Sequence, residues 1–357
     1  MGLMQDATLI LCCGMADAVS YAHDAKERGE RIIAASSLHY DESARHYPHW
    51  EWLPSVYEDA FVGALEQLVK KHKVARIYCP HNIAHYSLLK LKEDGKLDIP
   101  LIGIPPTARQ THDMQTLLQE AEECRTFIQH VQPRNTLPTH KVAAILKQTA
   151  LTYGESNPSK LAALMAIFTS LPQGDVVEVG SWWGKSAVAL IMLAQHYDVG
   201  HVLCVDPWSG EEAIQTDSSS LMQSMPGITD WATVFAGFTV HTAAVAMPGR
   251  FNYLRQPSVQ AAATYIQNAP ITSPEFGTVR YAQHIAMIHI DGNHDYASVK
   301  ADYEAWRPFV VSGGWVILDD YVWLHGEGPQ KLGDAILQAE SVRHSFVAGK
   351  ALFLQMP

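Results

Sequence analysis

The chain has 357 residues, 47% hydrophobic and 18% charged, with 37 acidic against 26 basic side chains and a formal net charge of −11 at pH 7. The length allows two domains with real cores, and the acid excess excludes a nucleic-acid backbone as the main partner, because phosphate binding needs a basic face. No apolar run is long enough to span a membrane, the N-terminus lacks the basic region and cleavage site of a signal peptide, and the five cysteines show neither zinc spacing nor a disulfide framework, so a cytoplasmic protein with no membrane partner is expected.

In chain order, residues 8–13 and 31–35 read as buried strands around a helix over 16–28. An amphipathic helix over 56–71 follows, then strands over 75–79 and 99–103. This alternation predicts a small α/β domain over 1–105. It resembles the Rossmann-like domain that precedes an ATP-grasp domain in carboxylate–amine ligases, notably in residues 47–54. That resemblance leaves substrate recognition or oligomer contact as its job, and a homo-oligomer is expected. His39, His46, His49, His81 and His85 could line a cleft or bind metal, although scattered loop histidines usually do neither. Residues 106–139 read as a helical linker, with one helix over 110–131 before Pro133 and Pro138 break it.

The second domain, 140–357, opens with helical runs over 141–151 and 158–171. A buried strand then runs into Glu178-x-Gly180-x-x-x-Gly184 and a helix from Lys185. Gly180 and Gly184 permit a sharp turn and a close backbone approach, and the helix start presents free N–H groups. Ser181 follows Gly180 where a diphosphate fingerprint needs another pattern, and the Glu178 carboxylate would repel a diphosphate, so a cationic ligand fits better. The next strand ends at Asp206, placed to accept from ribose hydroxyls. Ribose plus a positive group describes S-adenosylmethionine.

Residues 209–242 read as a long irregular insertion beside the cleft, suited to a substrate lid. Residues 251–256 read as the next strand. Two further buried strands end at Asp291 and at Asp319-Asp320, with a crossover helix between them carrying Val299, Tyr303 and Trp306, so the two strands should be parallel neighbours. Asp291, Asp319 and Asp320 are then expected to converge beyond the strand ends, where their mutual repulsion calls for a cation. Oxygen-only ligands favour Mg²⁺ or Ca²⁺ over zinc. His294, three residues after Asp291, could take a proton from a hydroxyl.

On these motifs the domain resembles a class I S-adenosylmethionine-dependent methyltransferase, a Rossmann-like α/β fold with a mostly parallel doubly wound sheet. The pattern I-D-G-x-H-x-Y, a helix and G-G-x-x-x-x-D-D-Y is similar to the metal-dependent O-methyltransferases of macrolide and aminocoumarin sugar tailoring, and to cephalosporin-hydroxylase-related proteins. The resemblance implies cofactor contacts at Glu178, Gly180, Ser181, Gly184 and Asp206, with Ser258 near the adenine. It implies Mg²⁺ at Asp291, Asp319 and Asp320, His294 as base, and a small-molecule hydroxyl acceptor such as a sugar or natural product. Asn293 stands where other members carry a basic Asp. A non-catalytic scaffold on the same fold, or another reaction on it, are the alternative readings.

Overall fold

The computed structural model describes residues 6–132 and 134–357, so Pro133 lies outside the described residues. The chain divides into two compact units, Met1–Thr116 and Leu117–Pro357. In the first, strands β1 (Ala7–Leu11), β2 (Arg31–Ser36), β3 (Trp50–Trp52), β4 (Val74–Tyr78) and β5 (Leu101–Ile102) are joined in part by helices α1 (Ala16–Glu27), α2 (Ala60–His72) and α3 (Asn82–Glu93). Every pairing is parallel, in the order β3-β2-β1-β4-β5. Three of the five histidines singled out in the sequence do local work. His39 stacks on Trp52 at 4.9 Å, His81 caps α3, and buried His85 sits 3.1 Å from the Cys79 carbonyl. No metal-type cluster includes them among the described residues.

Helix α4 (Pro106–Val131) carries the boundary between the units. The second unit continues with α5 (Thr139–Ala150), α6 (Pro158–Phe168), β6 (Asp175–Val179), α7 (Lys185–Tyr197), β7 (Val202–Val205), α8 (Ser220–Ile228), α9 (Trp231–Ala243), β8 (Phe251–Leu254) and α10 (Ser258–Ile266). A small hairpin, β9 (Ile271–Ser273) and β10 (Gly277–Val279), precedes β11 (Ile285–Ile290), α11 (Tyr296–Trp306), β12 (Val310–Leu318), α12 (Gly328–Ala339), β13 (His344–Ala348) and β14 (Ala351–Gln355).

The large sheet has the order β13-β14-β12-β11-β6-β7-β8, parallel except where β14 pairs antiparallel with both β12 and β13. Strands β6, β7 and β11 are buried along their whole length, as a parallel sheet covered on both faces requires. The sheet is a Rossmann-like α/β fold, and β11 and β12 are the parallel neighbours joined by α11 that the sequence implies. Strand order reverses between β6 and β11, which puts the ligand crevice of such a sheet at their carboxyl ends.

Residues 209–242 differ from the irregular insertion expected. They hold α8 and α9, and α9 buries Val234, Phe238 and Thr242 at four-residue spacing. Thr, Gly and aromatic residues are poor helix formers, and packing overrides that preference: Trp208 meets Phe238 at 4.6 Å and Phe235 at 5.0 Å between ring centres. Among the described residues no helix is long and apolar enough to cross a membrane.

Candidate functional site

The turn after β6 is fixed by its own chain. Gly180 has φ +81°, and a Cβ there would stand 2.0 Å from the carbonyl oxygen of Asp291. Its glycine is therefore required by the close approach of the β6 and β11 loops rather than by a ligand alone. Gly184, φ +90°, lies against Phe238 of α9 and begins α7, whose start has no side-chain cap among the described residues.

Asp206, at the end of β7, locks this turn. Its Oδ2 accepts from the amides of Ser181 (2.9 Å) and Trp182 (3.0 Å), and its Oδ1 accepts from the amide of Trp208 (2.6 Å). Burial pushes its carboxyl up while the three amides pull it back. A carboxylate has about four acceptor positions, so roughly one remains for a ribose hydroxyl. With that acceptor and the uncapped start of α7, the residues fit S-adenosylmethionine. Tyr153 stands edge-on to Trp182 at 5.2 Å, and both are exposed.

Glu178 is placed differently from the expectation. It is 0% exposed, accepts from Ser181 Oγ (2.7 Å), and meets Nδ1 of His289 at 3.1 Å. The cause is register: Glu178 of β6 is the cross-strand partner of His289 on β11 and of Cys204 on β7, so the three form one row on a buried face. His289 Nε2 continues the row to Asp319 Oδ2 at 3.3 Å. Burial alone would lower the His289 pKa, but Asp319 and Glu178 carry it up to about 9.

The three carboxylates expected to converge are divided. Consecutive residues at a strand end point to opposite sides, and Asp320 adopts φ +49°. Asp319 turns into the buried row and Asp320 turns toward His294. The candidate ligand atoms of His289, Asp291 and Asp319 lie within 4.8 Å of one another, as do those of Asp291, His294 and Asp320. A divalent cation shared by Asp291, Asp319 and Asp320 does not fit, because the place is taken. The ammonium of Lys160, a residue of α6 that is 2% exposed, is hydrogen-bonded to Asp319 and lies 3.8 Å from Asp291 Oδ2. Lys160 drops the Asp319 carboxyl well below its usual range against the effect of burial, whereas burial and the charge of Asp319 push Asp291 up to about 7.

Among the described residues His294 Nε2 is buried without a hydrogen-bond partner, and it stands 3.6 Å from both Asp291 Oδ1 and Asp320 Oδ2. Burial lowers the His294 pKa, but Asp291 and Asp320 outweigh it and hold the ring above its ordinary value. Its Nδ1 meets the Gln215 amide at 3.1 Å, and its ring lies 4.7 Å from that of Trp323. The segment before α8 is pinned to the same loop: Asn293 donates to the carbonyl of Ile214, and Asp295 accepts from the amides of Thr216 and Asp217. Ser258 begins α10, and its hydroxyl accepts from Trp306 Nε1 at 3.0 Å.

Sequence reasoning missed two residues, Lys160 and His289. The signal for Lys160 was a charge opening the otherwise apolar run 161–168, and for His289 an imidazole inside a buried strand.

Residues 177–321 match the model of a family described as a methyltransferase domain. No curated protein matches the chain. Solved structures similar to it include the O-methyltransferase NovP, 18% identical over 53% of this chain and 74% of that chain, with a TM-score of 0.35. They also include the MycE methyltransferase from the mycinamycin biosynthetic pathway in complex with Mg and SAH, at 16% identity, 51% of this chain, 45% of that chain and a TM-score of 0.31. A third is TrmN from Thermus thermophilus, at 14% identity, 59% of this chain, 52% of that chain and a TM-score of 0.35. These scores are low, and the fold assignment rests on the sheet order and the domain match.

Proposed function

From a methyltransferase domain at 177–321, we propose that the Leu117–Pro357 unit methylates a hydroxyl of a small molecule, a sugar or natural product, with His294 as the base. S-adenosylmethionine, when bound, supplies an electrophilic methyl on a sulfonium. The observation that carries this reading is His294 Nε2: a buried nitrogen with no hydrogen-bond partner among the described residues, at the carboxyl end of β11 and facing two carboxylates. To take a proton at Nε2 the ring must carry its hydrogen on Nδ1, with the Gln215 side chain turned so that its amide oxygen accepts. Asp291 and Asp320 then stabilise the imidazolium that forms. Leu221, Met225 and Ile228 expose one apolar face of α8, and Val322 and Leu324 are exposed beside Trp323, so an acceptor with an apolar portion suits these surfaces. A cation held by Asp291, His294 and Asp320 is the alternative, and it would occupy the nitrogen that a base needs.

The test is label transfer from S-adenosylmethionine to pooled sugar and phenol acceptors. His294→Ala should lose it by roughly 10²–10⁴-fold, the range for general bases. Because Asp291 and Asp320 raise the His294 pKa, the wild-type rate should climb with pH through a value above 6.5, a limb missing from the variant. Undiminished transfer by His294→Ala would remove the base.

Cofactor binding is checked separately. Asp206→Ala frees three amides of the turn and deletes the remaining acceptor. Calorimetry should show S-adenosylmethionine affinity weaker by about 2–3 kcal/mol, the scale of hydrogen bonds to a charged group. Unchanged affinity would take Asp206 out of the site.

A further inference from the structure

We infer that the Lys160 ammonium is the resident cation between Asp319 and Asp291, standing where a three-aspartate site would hold a divalent metal, so that these two carboxylates share no divalent cation in the wild-type protein. The lysine is built in rather than folded in from the surface. Asn157 caps α6 by accepting from the Lys160 amide at 3.0 Å, and α6 is buried at every position from Lys160 to Phe168. The turn between β13 and β14 closes over the start of the helix, with a Cβ on Gly349 falling 2.6 Å from the backbone nitrogen of Lys160. The helix start cannot withdraw without moving that turn.

A buried ammonium needs charged partners to offset its lost hydration, and the partners here are Asp319 and Asp291. A divalent ion bonds carboxylate oxygens at about 2.0–2.6 Å. An ion reaching both Asp319 and Asp291 would overlap the ammonium already hydrogen-bonded to Asp319, so metal and lysine exclude each other. Asp320 is turned to His294 and groups with Asp291 and His294 rather than with Asp319, so it does not complete a three-aspartate site. One side chain on α6 thus decides whether the acids at the ends of β11 and β12 are met by an internal or an external cation. The inference does not depend on methyl transfer, and its test reads metal binding and stability.

Mn²⁺ serves as the probe, followed by calorimetry and by thermal unfolding of the full chain. Wild type should show no Mn²⁺ site that depends on Asp319, so any Mn²⁺ binding and rise in Tm it has should persist in Asp319→Asn. Lys160→Met should gain a site about tenfold or more tighter than any in wild type, with Mn²⁺ raising its Tm by ligand linkage. Adding Asp319→Asn to that variant should abolish the gain. A wild-type protein that binds Mn²⁺ as tightly as Lys160→Met, or a gain that survives Asp319→Asn, overturns the inference. Should Lys160→Met fail to fold alone, recovery on refolding in Mn²⁺ supports it and equal failure with and without Mn²⁺ counts against it, while the wild-type titration decides independently.

Discussion

Gly180→Ala is expected to destabilise the second unit by about 4 kcal/mol or more, from overpacking against backbone plus the left-handed conformation. The new Cβ would meet the Asp291 carbonyl oxygen at 2.0 Å, the Asp291 carbonyl carbon at 2.4 Å and the Gly292 Cα at 2.7 Å. All three are backbone atoms, so no side chain can swing aside and the β6 and β11 loops must part. For a unit of this size the loss corresponds to a Tm lower by roughly 10 °C. Gly227→Ala is the control, since nothing lies within 4 Å of a Cβ there. Equal melting of wild type and Gly180→Ala would show that the two loops are not in contact as described.

The second large effect falls on His289. His289→Gln removes the cation lying between Glu178 and Asp319, two carboxylates with little exposure, and breaking such a buried pair costs about 3–5 kcal/mol. The pH dependence has a definite sign. The folded-state pKa, carried up to about 9, exceeds the ordinary 6.5, so the contribution is fully present below 6.5 and is lost as pH rises through about 9. Across that window wild-type stability should fall by about 3 kcal/mol, while His289→Gln, already weaker, should lack that fall. Denaturant unfolding between pH 6 and 10 checks it, and matching slopes in the two proteins would place the titration elsewhere.

How much of this could be read from the chain depends on the length scale of each signal. The strand–turn–helix around Gly180 and the parallel pair β11–β12 were legible, because buried runs, glycines and a crossover helix are local patterns. The identity of strand-end acids was legible for the same reason. Their directions were not: whether Asp319 and Asp320 share a ligand depends on one backbone angle and on what approaches from α6, 159 positions away from Asp319. The direction of Glu178 is hidden for a similar reason: a carboxylate near a strand end suggests the crevice, whereas register pairs it with His289 inside the sheet. The segment holding α9 hid because its helix depends on tertiary packing around Trp208, which composition does not display.

The clamp made by Asp206 bears on the speed and entropy of ligand capture. With the Ser181 and Trp182 amides already bound to its carboxylate and Trp208 Nε1 donating to the Trp182 carbonyl at 2.9 Å, the turn is held in shape by folding itself. An incoming molecule therefore meets a preorganised wall and loses little free energy to ordering the chain. Association can then proceed as a near rigid-body encounter, and differences in affinity among related ligands would arise in how slowly they leave rather than in how quickly they arrive.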